Sequence, residues 1–288
     1  MLLAGFFFAL MNVTVKFLPH IPAIEIILFR SVFSFFFSYL ILKKQKIPVL
    51  GNNKKLLIIR GVVGSVGLIT FFYTLQKIPL ASAVTIQYLA PIFTSVLGIF
   101  IVKERVKAIQ FFYFAIAFAG VLVIEGFDPR IEPVYLLIGI VSALFSGLAY
   151  NVIRKLKNTE HPLVIVFYFP LVTIPVAGLV SFFYWVPPRG WDWLLLLVIG
   201  VFTQFAQYFM TMAYQNANLS KVASLNYVGI IYALGFGYLL FGETYNLVTY
   251  SGMVMVLLGV ILNVKFSGRP KLKIKSGAES GKNVVHKN

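Results

Sequence analysis

The chain lacks cysteine altogether. That absence removes disulfides, thiol nucleophiles, iron–sulfur ligands and cysteine-type zinc sites together. Charge is scarce as well, at 12% of 288 residues, and acids are scarcest, with nine Asp and Glu in all. A soluble domain carries about 25% charged and about 45–50% apolar residues. A chain that is 59% hydrophobic and has 29 Phe therefore takes lipid as its solvent. Histidine occurs three times, as His20, His161 and His286, each between or after apolar runs. Asp192 stands at the very start of an apolar run and no aspartate lies deeper in one, and neither HExxH nor GxSxG occurs. Almost nothing remains for acid–base or nucleophilic chemistry, so an enzyme is not expected, nor is a cofactor or a metal. The first apolar run has no basic segment before it and no small-residue cleavage site, so it reads as a first span and not as a cleaved signal.

What the chain does have is long apolar runs. A bilayer span needs about 20 mostly apolar residues. Ten candidates occur, at 2–18, 22–42, 56–75, 79–102, 108–124, 134–153, 163–185, 191–214, 219–241 and 247–264. The expected fold is an all-α polytopic membrane protein with ten transmembrane helices. The loop at 125–133, EGFDPRIEP, is the most acidic stretch and the natural midpoint. Residues 266–288, with SGRPKLKIKSG, hold little that could form a core and are expected to be a disordered basic cytoplasmic tail.

The net charge of +16 could suggest nucleic acid, but the basic residues sit between and after the spans. With the N-terminus inside, twenty Lys and Arg fall in cytoplasmic loops and tail, Arg60 among them. Four, Lys16, Lys77, Arg130 and Arg189, fall outside, and Arg30 is left within a span. That asymmetry predicts a multi-pass protein of the cell (inner) membrane with both termini cytoplasmic, and no nucleic-acid partner. Trp185, Trp191 and Trp193 cluster near the seventh and eighth spans, where interfacial anchoring is the expected role.

An internal repeat appears at an offset of 139 residues. Gly61/Gly200, Gln76/Gln215, Tyr88/Tyr227, Gly98/Gly237, Glu104/Glu243 and Gly120/Gly259 all match in one ungapped register. In 81–104 the residues Gln87, Ala90, Thr94 and Gly98 share one helical stripe; in 220–243 the stripe reads Asn226, Gly229, Ala233 and Gly237. Each half holds five spans, an odd number, so the second half must insert inverted. Inverted repeats suit secondary transporters, because two opposed halves can expose one central site to each side in turn.

These features together resemble the EamA-type branch of the drug/metabolite transporter superfamily. The residues that carry the resemblance are Phe29-Arg30 in the second span, SAVTIQYLAPIFTSVLG ending at Gly98 in the fourth, and Glu104 and Glu243 after the fourth span of each half. One departure is Ile230, which stands where the first half has Pro91. The resemblance implies a first five-helix EamA-like repeat at 1–126, a second, inverted one at 133–265, and a central cavity lined by the first, third, fourth, sixth, eighth and ninth spans. It implies a secondary active transporter of small metabolites such as amino acids, working as an exporter by alternating access. A multidrug or nucleotide/sugar-type exchanger of the same fold is the alternative. A non-transporting receptor or scaffold is the rival from another class, though it leaves the repeat without a purpose.

Polar groups inside spans are costly and mark pathways. Arg30 reads either as a binder of an anionic solute group or as a cation held by helix-end carbonyls or Glu25. Glu25, Glu104 and Glu243, at or near span ends, are expected to serve coupling or gating. Asn12, Tyr73, Gln87, Tyr88, Tyr150, Gln204, Gln207, Tyr208, Asn226 and Tyr227 complete the expected substrate-binding set with Arg30. Amides and phenols fix a polar solute without burying charge, and helix–helix hydrogen bonding is the competing role for each. Gly61, Gly64 and Gly67 read as a close-packing stripe. The expected partners are a small-molecule solute and the lipid bilayer, with proton or exchange coupling, in a monomer or weak homodimer.

Overall fold

A computed structural model describes residues 1–103, 108–127, 130–216 and 228–266. Glu104, Asn226, Tyr227 and the tail beyond Phe266 lie outside them. The described residues form helices and no strand: α1 (Leu2–Lys16), α2 (Ala23–Lys44), α3 (Lys54–Lys77), α4 (Leu80–Gln87), α5 (Ala90–Ile101), α6 (Ala108–Phe127), α7 (Pro133–Lys155), α8 (Pro162–Phe183), α9 (Asp192–Asn216), α10 (Val228–Phe241) and α11 (Leu247–Phe266). Six segments are long and apolar enough to cross a membrane, with α4 and α5 taken as one rod, and four shorter apolar helices accompany them. The molecule is an all-α polytopic membrane protein. Its outer surface follows suit: Phe182, Phe183, Trp191 and Leu247 are among the large apolar side chains left exposed.

Local chemistry sets the helix boundaries. Pro133 and Pro162 open α7 and α8, where a missing N–H costs nothing. Asn53 caps α3 by accepting from the Leu56 N–H at 3.2 Å. The expected fourth span is not one helix. Pro91 cannot donate back to residue 87, and its ring would strike that carbonyl, so α4 stops at Gln87 and α5 restarts at Ala90. By contrast, α8 carries Pro170 and Pro175 without interruption.

Loop hydrogen bonds gather at two ends of the bundle. At one end the Gln76 amide donates to the Leu18 and Ile21 carbonyls, the Val186 N–H donates to Glu25, and His20 meets Asp192 at 3.0 Å. At the other, Asn52 and Asn53 donate to Glu160, the Tyr168 hydroxyl to the Leu50 carbonyl, and Gln215 to the Glu160 carbonyl. Consecutive long helices therefore alternate in direction.

The principal helix pairs are α6 with α11, α3 with α7, α2 with α8 and α1 with α9. Many contacts recur when 139 is added to one partner and subtracted from the other. Gly61 lies against Val172, and Gly200 against Phe33. Ser65 Oγ meets Thr173 Oγ1 at 2.6 Å, and Ser34 Oγ donates to Gln204 at 2.7 Å. Gln76 donates to the Ile21 carbonyl at 2.9 Å, and Gln215 to that of Glu160 at 3.1 Å. Gly120 packs on the Gly252 carbonyl, and Gly259 on that of Tyr113. Lys103 and Gly242 share a left-handed backbone, with φ of 57° and 60°.

Candidate functional site

A cavity of about 150 Å³ lies in the middle of the bundle. On α1 its wall runs from Met1 through Phe8 and Met11 to Asn12 and stops before Lys16, so the cavity extends toward the Met1 end. Arg30 enters from α2; Arg60, Gly64, Gly67, Leu68 and Phe71 from α3; Gln87, Tyr88 and Ala90 from the α4–α5 break; Ser146, Ala149 and Tyr150 from α7; Phe169 from α8; Gln207 and Met210 from α9. Residues on both sides of the break, Gln87 at the end of α4 and Ala90 at the start of α5, thus stand at the wall.

Of the residues expected from sequence, Asn12, Arg30, Gln87, Tyr88, Tyr150 and Gln207 line this cavity. Gln87 is held by two serines of α7, donating to Ser146 at 2.8 Å and accepting from Ser142 at 3.0 Å. Tyr150 stacks on Tyr214, with centroids 4.8 Å apart. Three expected residues lie elsewhere. Tyr73 is 41% exposed on the outer surface beside Tyr135. Gln204 is tied to Ser34 and Ser38 and serves as a hydrogen-bonded clasp between α2 and α9. Tyr208 packs against Phe209 and is absent from the wall. Asn226, Tyr227 and Glu104 lie outside the described residues.

The largest correction concerns Arg60, which charge counting assigns to a cytoplasmic loop. It is 4% exposed, inside α3, and at the cavity wall. Its Nη1 occupies the space over Gly64, one turn further into the bundle, so the side chain points inward instead of out to the interface. The glycine stripe therefore has two jobs. Gly61 and Gly67 let α8 and α7 approach, while Gly64 makes room for a guanidinium. An Arg followed four residues later by Gly inside an apolar run is the signal that was there to read.

Arg30, 1% exposed, is the second cation of the cavity. Its Nε donates to Thr203 Oγ1 at 3.1 Å, and it makes no ion pair with Glu25, whose carboxylate faces the Val186 N–H at the far end. The guanidinium carbons of Arg30 and Arg60 lie 5.4 and 4.8 Å from the centroid of a single ring, Phe169; Arg30 also stands 5.6 Å from Phe72. Desolvated cation–π contacts contribute about 2 kcal/mol each, whereas an unpaired buried charge costs considerably more. Among the described residues no carboxylate pairs with either arginine, and Arg30 Nη1, Arg60 Nε and Arg60 Nη1 donate to no protein group.

At the other end of the bundle stands Glu243. Gly242 turns the chain after α10, and the Glu243 N–H bonds back to the Gly237 carbonyl at 3.0 Å. The carboxylate then forms an ion pair with Lys16 and accepts from the Leu80 N–H, at 2.9 Å for one oxygen and 3.0 Å for the other, and from the Tyr245 hydroxyl at 2.8 Å. One side chain ties α1, the start of α4 and the loop after α10. Burial by itself would raise the Glu243 carboxyl, but the Lys16 ammonium and the Leu80 N–H outweigh it and hold the group below its ordinary range. Burial and the adjacent carboxylate push the Tyr245 phenol up, so it remains a donor. Among the described residues no cluster of His, Asp or Glu could hold a metal ion.

Comparison with known proteins agrees with this architecture. The EamA-like transporter family matches twice, over 1–126 and 133–265. The pseudopaline exporter CntI of Pseudomonas aeruginosa (strain UCBPP-PA14) is 31% identical over 262 residues, covering 90% of this chain and 92% of that protein. An uncharacterized transporter of Helicobacter pylori (strain 26695) is 32% identical, covering 91% and 92%. Human solute carrier family 35 member G1 is 26% identical, covering 89% and 75%. A solved crystal structure shares the fold with a TM-score of 0.68 at 17% identity, covering 92% of this chain and 95% of its own. The tandem family match and relatives above 30% identity along nearly the whole length place the chain in the EamA-like transporter family, whose members move solutes and are not enzymes.

Proposed function

We propose that the chain is a ten-helix secondary carrier that exports a small polar metabolite from the cytoplasm by alternating access. The observation that carries this reading is the polar cavity that extends toward Met1 while the Glu243 network closes the opposite end. The charge asymmetry of the sequence supports a cytoplasmic Met1 end and tail in an inner-membrane protein. The reciprocal contacts at an offset of 139 support two inverted five-helix repeats, at 1–126 and 133–265. Exchanging the halves carries the Gln76–Ile21 contact at one end onto Gln215–Glu160 at the other, as a two-fold axis in the membrane plane requires. The exporter named among the relatives supports the outward direction.

The cavity size favours a metabolite over a multidrug substrate, since drug-sized ligands occupy about 300–1,000 Å³. Its described wall has no carboxylate, which favours exchange over proton coupling. Glu25 and Glu243 are then residues of the ends and not of the site. Counterflow in proteoliposomes loaded with a cytosolic metabolite extract tests the reading. Saturable uptake stimulated by solute on the far side is the expected result; flux that rises linearly with concentration would indicate a channel and overturn it.

A further inference from the structure

Two guanidiniums share one ring at the centre of a membrane protein, and nothing in the described protein neutralises them. We infer that Arg30 and Arg60 form the binding site of a dianionic solute, one carrying two carboxylates on a short carbon skeleton. The inference rests on the transport reading above and names the substrate class of that cavity.

Four observations carry it. First, both side chains are more than nine-tenths buried and both line the cavity. Second, three of their N–H-bearing atoms have no protein acceptor, and a guanidinium offers its free edge as a fork that fits a carboxylate. Third, the described cavity wall contains amides, phenols and a serine but no acid, so the counter-charge must come from the occupant. Two fixed positive charges call for two negative ones. Both guanidinium carbons lie close to one ring centroid and so within ~10 Å of each other, a span that a short dicarboxylate with its two ion-pair contacts can bridge.

The fourth observation separates binding from architecture. At the 139-residue offset Arg30 corresponds to Phe169, and Arg60 to Ile199. The surrounding frame is reciprocal: the Ser65–Thr173 contact mirrors Ser34–Gln204, and Gly61–Val172 mirrors Gly200–Phe33. The equivalent positions in the second half are filled by apolar residues, so packing of these helices does not demand a cation. The two arginines are departures from the pattern, both in the first half and both directed at the same cavity. Phe169, the counterpart of Arg30, is also its contact, which sets the charge pair at the centre of the reciprocal arrangement.

The test uses purified full-length protein in two assays. Binding is read by calorimetry with succinate and L-malate as dicarboxylates, L-lactate as a monocarboxylate, L-alanine as a zwitterion and inorganic phosphate as a compact anion. Transport is read by counterflow of radiolabelled succinate or malate. The expected result is that dicarboxylates bind at least tenfold more tightly than lactate, alanine or phosphate. Arg60→Gln and Arg30→Gln should each collapse the succinate-to-lactate preference by tenfold or more, while Arg60→Lys restores part of it. A structural role alone would change thermal stability and leave that ratio in place. Preference for alanine, lactate or phosphate, or an unchanged ratio in well-folded Arg60→Gln protein, overturns the site. Dicarboxylate binding without counterflow keeps the site and removes the transport reading. Counterflow of alanine without dicarboxylate binding does the reverse.

Discussion

At Gly64 a side chain of any size would collide with the Arg60 guanidinium, which lies over the bare helix surface there. Phe169 stands on the other side of the same space. Gly64→Ala is therefore expected to expel Arg60 toward the interface while improving the intrinsic helix propensity of α3. The expected outcome is about a tenfold loss of solute affinity, or about 1.4 kcal/mol, at an unchanged or raised melting temperature. Calorimetry paired with a thermal melt checks both; unchanged affinity would falsify the link between Gly64 and the site. This residue also marks what sequence reasoning could and could not reach. Arg30 was legible because its depth within an apolar run is a matter of counting. Arg60 was not, because its position seven residues into α3 says nothing about direction, and long cations near helix ends ordinarily reach outward. Gln204 shows the converse: an amide at cavity depth that turned to two serines of a neighbouring helix instead.

Among the elements, the interrupted rod of α4 and α5 governs how the site is built. Gln87, Tyr88 and Ala90 at this break line the cavity, so a continuous helix through 80–101 would shift Ala90 and the residues after it relative to α4. Pro91→Ala restores an N–H donor and removes a ring clash that costs about 3 kcal/mol inside a helix. The variant is expected to fold with equal or greater thermal stability and to exchange solute several times more slowly. Initial counterflow rates measured beside melting curves check this, and a faster variant would count against the role given to the break. The apolar run and its proline are both plain in the sequence, and the run does form one span-length segment; the interruption of its helix is not visible because hydropathy records composition and not continuity. The helices themselves were legible for the same reason that the break was not. Ten apolar runs separated by short polar loops leave few ways to fold in lipid, where every backbone group must be satisfied within its own segment.

For the whole molecule, the proposed carrier cycle makes the Glu243 network the closure of the end opposite Met1. A carboxyl held below its ordinary value in the folded state favours the closed arrangement at neutral pH, and that contribution is lost as pH falls through the lowered value. Closure is therefore expected to persist through the neutral and mildly acidic range and to fail only in stronger acid. Glu243→Gln should loosen it at every pH. Because the chain has no cysteine of its own, a single Ser82→Cys probe beside Leu80 reports this directly through its rate of alkylation from the outer side. A rate that already rises near neutral pH in the parent protein would contradict the assignment. The arginine pair has an electrical consequence as well. On the proposed alternating-access cycle, an empty carrier reorients with two uncompensated positive charges near its centre, whereas one loaded with a dianion reorients nearly neutral. Displacing one charge through 100 mV involves about 2.3 kcal/mol, so even partial displacement of two makes the unloaded return the slow, voltage-sensitive step. The protein is then expected to run as an electroneutral exchanger: an imposed membrane potential should leave one-for-one dicarboxylate exchange unchanged while altering net efflux.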